Sequence, residues 1–191
     1  MNINQKELIL FLKKHIGKKR LQHSVNTAKE AMALAKKYGV DPQKAYIAGL
    51  LHDVAKGETS ESLISIADEY GVAVDEFEIC NPELMHGKIG AIMINKLLGI
   101  DDDEILNAIR WHTTGHKEMT ILEKIIYIAD IIEPGRKFLD VKTIKKLAYR
   151  DIDAAMIFSL EHVMEFVRNK GFSLHPNSIE AYNELKRNGG I

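Results

Sequence analysis

Apolar residues recur along this 191-residue chain at the three-to-four-residue spacing of helices buried on one face, and almost nowhere at the alternating spacing of strands. Ile3 to His15 carries Leu8, Ile9, Phe11 and Leu12 on that period. Leu21 to Tyr38 continues it through Val25, Ala28, Ala31, Met32 and Ala35 until Gly39 stops it. Asp41-Pro42 offers the acidic cap and first-turn proline of a helix start, and the helix it opens is expected to reach about Lys56. Further helices are expected from Ser60 or Ser62 to Tyr70, from Asn81-Pro82 through His86 to Leu98, from Asp101 to His112 and from Thr120 to Glu133. A short helix from Val141, a long one from Ile152 to Asn169 and a last one from Ser178 to Arg187 complete the pattern. Val72 to Val74 is the lone β-like fragment. With no repeat, low-complexity tract or linker, the expectation is an all-α, single-domain helical bundle over 1–191 with no significant sheet. Its core spans about 18–135 and a helical C-terminal extension about 140–188.

Composition narrows the function. Lys and Arg total 26 and Asp and Glu 27, a formal net charge of −1, which argues against a dedicated nucleic-acid binder but leaves room for a locally cationic pocket. The most apolar stretch, Ile121 to Ile132, is interrupted by Glu123, Lys124 and Asp130, so no membrane partner is expected. The polar start Met1 to Glu7 lacks a secretory pattern, and the one cysteine, Cys80, suits a reducing compartment. A cytoplasmic location is expected. The sequence leaves the oligomeric state open, a homodimer included.

Two apolar segments hold residues that a packed helix would rather not bury: His52-Asp53 within Tyr46–Ala55, and Asp130 among isoleucines in Ile125–Ile132. A buried ionised carboxylate needs a cation or strong hydrogen bonds. A lone His-Asp dipeptide is a chance-level signal that a salt bridge or a solvent-facing placement explains more readily than a metal does. The other histidines change the weighing, because His23, His86 and His112 fall in three further expected helices, and imidazoles and carboxylates converging from several helices build metal sites.

The ordered set His23, His52-Asp53 and Asp130 resembles the signature of HD-domain metallohydrolases, and His86 and His112 look like the added ligands of the two-metal branch. The words Arg20-x-x-His23-Ser24, Ala48-Gly49-Leu50-Leu51-His52-Asp53-x-Ala55-Lys56, His86-Gly87, Trp111-His112-Thr113-Thr114-Gly115 and Tyr127-x-Ala129-Asp130-x-Ile132-Glu133-Pro134-Gly135-Arg136 together resemble the YqeK family. That family comprises symmetrical bis(5′-nucleosyl)-tetraphosphatases, so the resemblance implies hydrolysis of diadenosine tetraphosphate into two nucleoside diphosphates by a metal-bound hydroxide. It covers about Lys6 to Tyr182 and implies one HD domain.

The resemblance further implies two divalent metal ions, with iron as the metal; mixed imidazole and carboxylate ligation also suits manganese, cobalt or zinc. His23, His52, Asp53 and Asp130 would hold one ion, and Asp53, His86 and His112 the other. Asp53 would bridge, and His52 and Asp53 form the catalytic pair. A nucleotide substrate also needs cations. Arg20 lies one turn before His23, Lys56 is expected one turn after His52 on the same helix face, and Arg136 follows the Pro134-Gly135 turn. These three, with His23 and Thr113, are the expected substrate contacts. Thr114 fits phosphate binding and capping equally. His15, His116 and His162 read as surface residues, His175 as loop, Tyr127 and Met85 as core, and Trp111 as helix-end packing. Rival readings are another HD nucleotide phosphohydrolase, a di-iron HD oxygenase and a non-enzymatic binding module.

Overall fold

Helix boundaries in this chain are written in its capping residues, and the computed structural model, which describes residues 4–137 and 140–189, shows them at work. Asn4 caps α1 (Gln5–His15), so Ile3, the expected start, lies outside the described residues. Gly17 precedes α2 (Lys18–Tyr38), which ends at Gly39 in the left-handed region, φ 69°. The Asp41 carboxylate accepts from the Gln43 and Lys44 N–H groups at the head of α3 (Pro42–Leu51). Thr59 caps α4 (Ser60–Glu69), and Asp75 with Glu78 forms a capping box around α5 (Glu76–Cys80). A 3₁₀ turn at Pro82–Met85 runs into α6 (His86–Leu98). Asp102 caps α7 (Asp103–Trp111), and Thr120 with Glu123 boxes the start of α8 (Ile121–Ile132). There follow α9 (Val141–Ala148), α10 (Ile152–Asn169) and α11 (Pro176–Asn188). No strand occurs among the described residues, and no helix there is long and apolar enough to cross a membrane.

The third helix is the hub. Every residue from Ala45 to Leu51 is buried, because α2, α7 and α8 all pack against α3. Gly49 sets the closeness of the α2 contact: a Cβ there would meet the Ala28 Cα at 3.0 Å and the Ala31 Cβ at 3.2 Å. Gly87 does the same for α6 against α7, where a Cβ would meet the Arg110 carbonyl oxygen at 2.6 Å. One apolar cluster runs from Leu8 in α1 through α3, α7 and α8 to Leu185 in α11. A smaller cluster, including Leu63, Met85 and Ile89, fills the space between α4 and α6. The C-terminal helices are tied to α2 by polar contacts as well: Glu30 accepts from Lys145 Nζ at 2.7 Å and from the Tyr149 hydroxyl at 2.8 Å.

Three expectations need correction. The third helix stops at Leu51 and does not run to Lys56; residues 52–57 form successive tight turns, with Val54 N–H donating to the Leu51 carbonyl and Lys56 N–H to the Asp53 carbonyl. The His52 ring is the physical reason. Its Nδ1 donates to the Gly49 carbonyl, the acceptor that an unbroken helix would offer to the Asp53 N–H. Second, α5 was not expected, and its Asp75–Glu78 capping box is the local signal for it. Third, α2 and α11 begin earlier than expected, at Lys18 and Pro176. The β-like Val72–Val74 is irregular backbone.

Replacing Gly49 with Ala is expected to force α2 and α3 apart, costing about 1–3 kcal/mol. A chemical or thermal melt checks this, with Tm falling by a few degrees per kcal/mol, roughly 2–4 °C for a chain of this size.

Candidate metal centre

The polar residues that stood out in the sequence are carried by separate elements. His23 lies in α2, His52 caps the end of α3 with Asp53 next to it, His86 opens α6, His112 caps the end of α7 and Asp130 sits in the last turn of α8. The structure brings all six together.

In each imidazole one nitrogen is already committed. His52 Nδ1 donates to the Gly49 carbonyl at 2.8 Å, His112 Nδ1 to the Ile109 carbonyl at 2.7 Å and His86 Nδ1 to the Glu83 carbonyl at 2.5 Å. His23 Nδ1 donates to Glu133 Oε1 at 3.1 Å. A carbonyl or an ionised carboxylate can only accept, so these bonds assign the proton to Nδ1 and direct the Nε2 lone pair inward. The Nε2 atoms of His23 and His52 lie 3.3 Å apart, and those of His86 and His112 3.0 Å. Thr113 Oγ1 sits 3.3 Å from both members of the second pair. Lone pairs this close repel unless positive charge lies between them.

Asp53 divides the cluster. Its Oδ2 lies 3.4 Å from His52 Nε2 and 3.6 Å from His23 Nε2, and accepts from Arg20 Nη1 at 2.7 Å. Its Oδ1 lies 3.3 Å from His86 Nε2 and 3.7 Å from His112 Nε2. Asp130 Oδ1 joins the first group, 2.9 Å from His23 Nε2 and 3.7 Å from His52 Nε2. The ligand-type atoms of His23, His52 and Asp130 fall within 4.8 Å of one another, as do those of His52, Asp53 and His112, so either triad, sharing His52, could hold an ion. The two halves abut: the His52 and His112 ring centroids are 4.9 Å apart.

Burial pushes the Asp53 carboxyl up, but His52 facing it and the close approach of the His112 and His86 rings outweigh burial and hold it ionised, far below the usual range. Burial also opposes ionisation of Asp130, and His23, His52 and Arg136 reverse that effect. Burial pushes His112 down to about 4, so it is neutral at physiological pH. At His52 burial acts in the same downward sense, yet Asp53 and Asp130 push the ring up to about 10. The field at His52 Nε2 therefore draws a positive charge, which a proton or a metal ion supplies. Neutral imidazoles, ionised carboxylates and fixed Nδ1 partners fit a divalent transition metal.

Cations ring this cluster. A pocket of about 280 Å³ above Asp53, His86, His112 and Asp130 is lined by Arg20, Lys56, Thr113 and Arg136, with Tyr127, Ile131 and Val163 as its apolar wall. Arg136 Nη2 donates to Asp130 Oδ1 at 2.5 Å and its Nε to the Asp130 carbonyl at 2.9 Å, so the Pro134-Gly135 turn does return it to the centre. Lys56 is the correction here. It reaches the pocket from the tight turns after α3, not from a shared helix face, and its Nζ lies 3.5 Å from Glu83 Oε2.

Sequence reasoning missed two residues, Glu133 and Asn26. The buried Glu133 carboxylate accepts from His23 Nδ1, from Asn26 Nδ2 at 2.9 Å and from the Gly135 N–H at 2.6 Å. Asn26 follows His23 by one helical turn, which was the one readable hint. The remaining histidines stay apart from the centre. His116 lies against Trp111 and faces Glu123, His162 pairs with Asp140, and His15 packs on Phe11. His175 is more buried than a loop residue: it caps α11 and reaches Asp75 Oδ2 at 3.1 Å. Asp75, Glu78 and His175 also lie within reach of one ion, but Asp75 caps α5 and Glu78 is paired with Lys88, so their contacts are accounted for structurally. Thr114 Oγ1 is turned to the Gly115 carbonyl, while Met85 and Tyr127 are core residues, as expected.

The HD-domain family profile matches residues 20–135, a span that holds all six clustered residues. The chain belongs to the HD-domain family. A symmetrical bis(5′-nucleosyl)-tetraphosphatase of Bacillus subtilis is 37% identical over 183 residues, covering 96% of this chain and 98% of that protein. Its counterpart in Halalkalibacterium halodurans is 35% identical, covering 96% and 97%. A crystal structure from Clostridium acetobutylicum, of a protein described as an HD superfamily hydrolase involved in NAD metabolism, superposes with a TM-score of 0.95. It shares 42% identity and covers 97% of this chain and 98% of the other. HD hydrolases are metal-dependent, in keeping with the donor set of this HD domain.

Glu133→Gln keeps the shape of the group that orients His23 and removes its charge. Affinity for a divalent metal is expected to fall about 10–100-fold with the fold retained. Titration against a competing chelator, with circular dichroism as the control, measures this; unchanged affinity would show that Glu133 does not orient a ligand.

Proposed function

We propose that this HD domain hydrolyses diadenosine tetraphosphate and related dinucleoside polyphosphates symmetrically, releasing two nucleoside diphosphates. The carrying observation is the Asp53 carboxylate, which turns one oxygen to His23 and His52 and the other to His86 and His112 beneath a rim of cations. Near full-length relatives named for this activity support the reading.

In this reading His23, His52, Asp53 and Asp130 would hold one divalent ion, and Asp53, His86 and His112 would hold a second. Iron is the proposed metal, on the family resemblance; manganese, cobalt and zinc also match the donors. Bound ions supply charge neutralisation of the phosphates and a water of lowered pKa. Asp53 fixes the spacing of the two halves, and Glu133 holds the His23 ring. Arg20 and Arg136, with side chains 38% and 37% exposed, bind phosphate oxygens through the guanidinium N–H groups not spent on Asp53 and Asp130. Lys56 and the Thr113 hydroxyl, which line the same pocket, serve the same polyanion. The cationic rim suits a phosphoanion and gives no support to oxidation of a neutral substrate. A nucleotide substrate and the exposed, unpaired Cys80 accord with a cytoplasmic setting.

Purified protein supplied with iron, manganese or cobalt is expected to convert diadenosine tetraphosphate to ADP alone, resolved by ion-exchange chromatography. Release of AMP and ATP, or no cleavage with any of these metals, overturns the reading. Asp53→Ala is expected to empty both metal positions and lower kcat/KM at least ~10³-fold, about 4 kcal/mol of transition-state stabilisation. His86→Ala should retain one metal per chain. Elemental analysis of both variants decides, and full occupancy in Asp53→Ala would remove the bridging role.

A further inference from the structure

The pocket over the metal centre is too small for the whole of the proposed substrate. Ligand sites for drug-sized molecules run from about 300 to 1,000 Å³, and a dinucleoside tetraphosphate is larger than most such ligands. The 280 Å³ above Asp53 has room for the reacting phosphates and little more. A second cavity of about 1120 Å³ adjoins it and shares two of its walls, Arg20 and Arg136. His23, whose Nε2 faces the centre, also lines this cleft.

The cleft carries a charge that the chain as a whole does not. Lys18 and Lys19, on the first turn of α2, and Lys137, just past Arg136, line it together with the two arginines. Its one carboxylate, Glu133, is buried and occupied by His23, Asn26 and the Gly135 N–H. Arg20 and Arg136 are engaged with Asp53 and Asp130, whereas Lys18, Lys19 and Lys137 form no ion pair among the described residues. An isolated surface lysine is ordinarily just solvated. Three lining one cavity that adjoins the candidate centre, in a chain of net charge −1, concentrate positive charge there. The Gln22 side chain adds a polar group that can serve as donor in the same cavity. The three lysines fall outside residues 20–135 that the HD profile matches.

Resting on the phosphohydrolase reading above, we propose that this cleft is the subsite for the second half of the substrate, the nucleoside diphosphate that leaves. Water oxygen bonds to the phosphorus held over Asp53, and the bond from that phosphorus to the central bridging oxygen breaks. The bridging oxygen departs with the electron pair as a terminal oxygen of the leaving diphosphate, and the water's protons pass to solvent. Arg20 and Arg136 stand at the junction where that negative charge develops, and Lys18, Lys19 and Lys137 hold the rest of the departing polyanion. A substrate without a second nucleotide half leaves the cleft unfilled, so the cleft selects for dinucleotides.

The test compares the metal-loaded wild type with a Lys18→Ala/Lys19→Ala/Lys137→Ala variant and with Lys29→Ala, an exposed lysine on α2 away from the cleft. Two readouts are taken: steady-state hydrolysis of diadenosine tetraphosphate, and calorimetric binding of its analogue with a methylene group at the central bridge. Exposed charge contacts of about 0.5 kcal/mol each give about a tenfold rise in both KM and Kd for the triple variant. Its kcat should stay near wild type, since contacts this far from the breaking bond hold substrate and transition state alike. The effect should shrink at high salt, and Lys29→Ala should match wild type in both readouts. A triple variant within twofold of wild type in Kd overturns the cleft assignment. Wild type that binds the analogue but cleaves nothing overturns the hydrolase reading instead, with Kd still judging the cleft. No binding by wild type overturns both.

Discussion

A carboxylate enclosed with only 3% of its residue exposed, among four imidazoles and one guanidinium, is the constraint around which this fold is arranged. Asp53 cannot stay ionised there without positive charge on both of its oxygens. Arg20 supplies it at Oδ2, whereas His86 and His112 turn ring nitrogens to Oδ1 and leave that side to a cation. The packing that delivers those partners is close by necessity. Gly49 lets α2 bring His23 against His52, and Gly87 lets α6 bring His86 against His112, each at a spot where a single methyl group would collide with a neighbouring backbone. Two glycines thus set the width of the centre.

Helix ends supply what helix interiors could not. The last carbonyls of a helix have no partner within it, and here those of Gly49 and Ile109 accept the Nδ1–H of His52 and His112 three residues later. The same geometry recurs where the 3₁₀ turn before α6 offers the Glu83 carbonyl to His86. A histidine placed at a helix terminus therefore has its tautomer fixed by its own backbone, with Nε2 left to ligate. His23, in the body of α2, has no such carbonyl to use. It needs Glu133 from the far side of the centre, and Asn26 and the Gly135 N–H hold that carboxylate in turn. A residue's place within its helix thus decides whether its support is local or tertiary.

That distinction also explains what could be read in the sequence. The all-α class followed from periodicity, and the clustered residues stood out because His52, Asp53 and Asp130 interrupt apolar runs that a plain core would have filled. Glu133 escaped notice because its role depends on a contact 110 residues away in the chain. The end of α3 was misplaced because apolar periodicity continues past Leu51, while the break comes from a side chain taking the Gly49 carbonyl. Lys56 was thereby put on the wrong surface, though it still reaches the pocket. The short α5 has too few residues to show a period, and only its capping pair betrayed it. Local patterns survive translation into structure; competition between side chain and backbone does not show in them.

Charge balance connects the centre to the cleft beside it. Asp53 and Asp130 are matched by Arg20 and Arg136, and Glu133 adds a further negative charge beside His23. Two divalent cations would leave it strongly positive, and a tetraphosphate chain, with an anionic charge on each phosphate, would restore the balance. Cations and polyanion can thus occupy the site together with little net charge buried, which either would bury alone. The arginines are well placed for that exchange: half-open to solvent, each holds a ligating carboxylate and each also faces the lysine-lined cleft. With cations on the carboxylate oxygens, the guanidinium N–H groups would be available to phosphate. The same two side chains that pair with the ligating carboxylates are then the ones placed to receive the substrate.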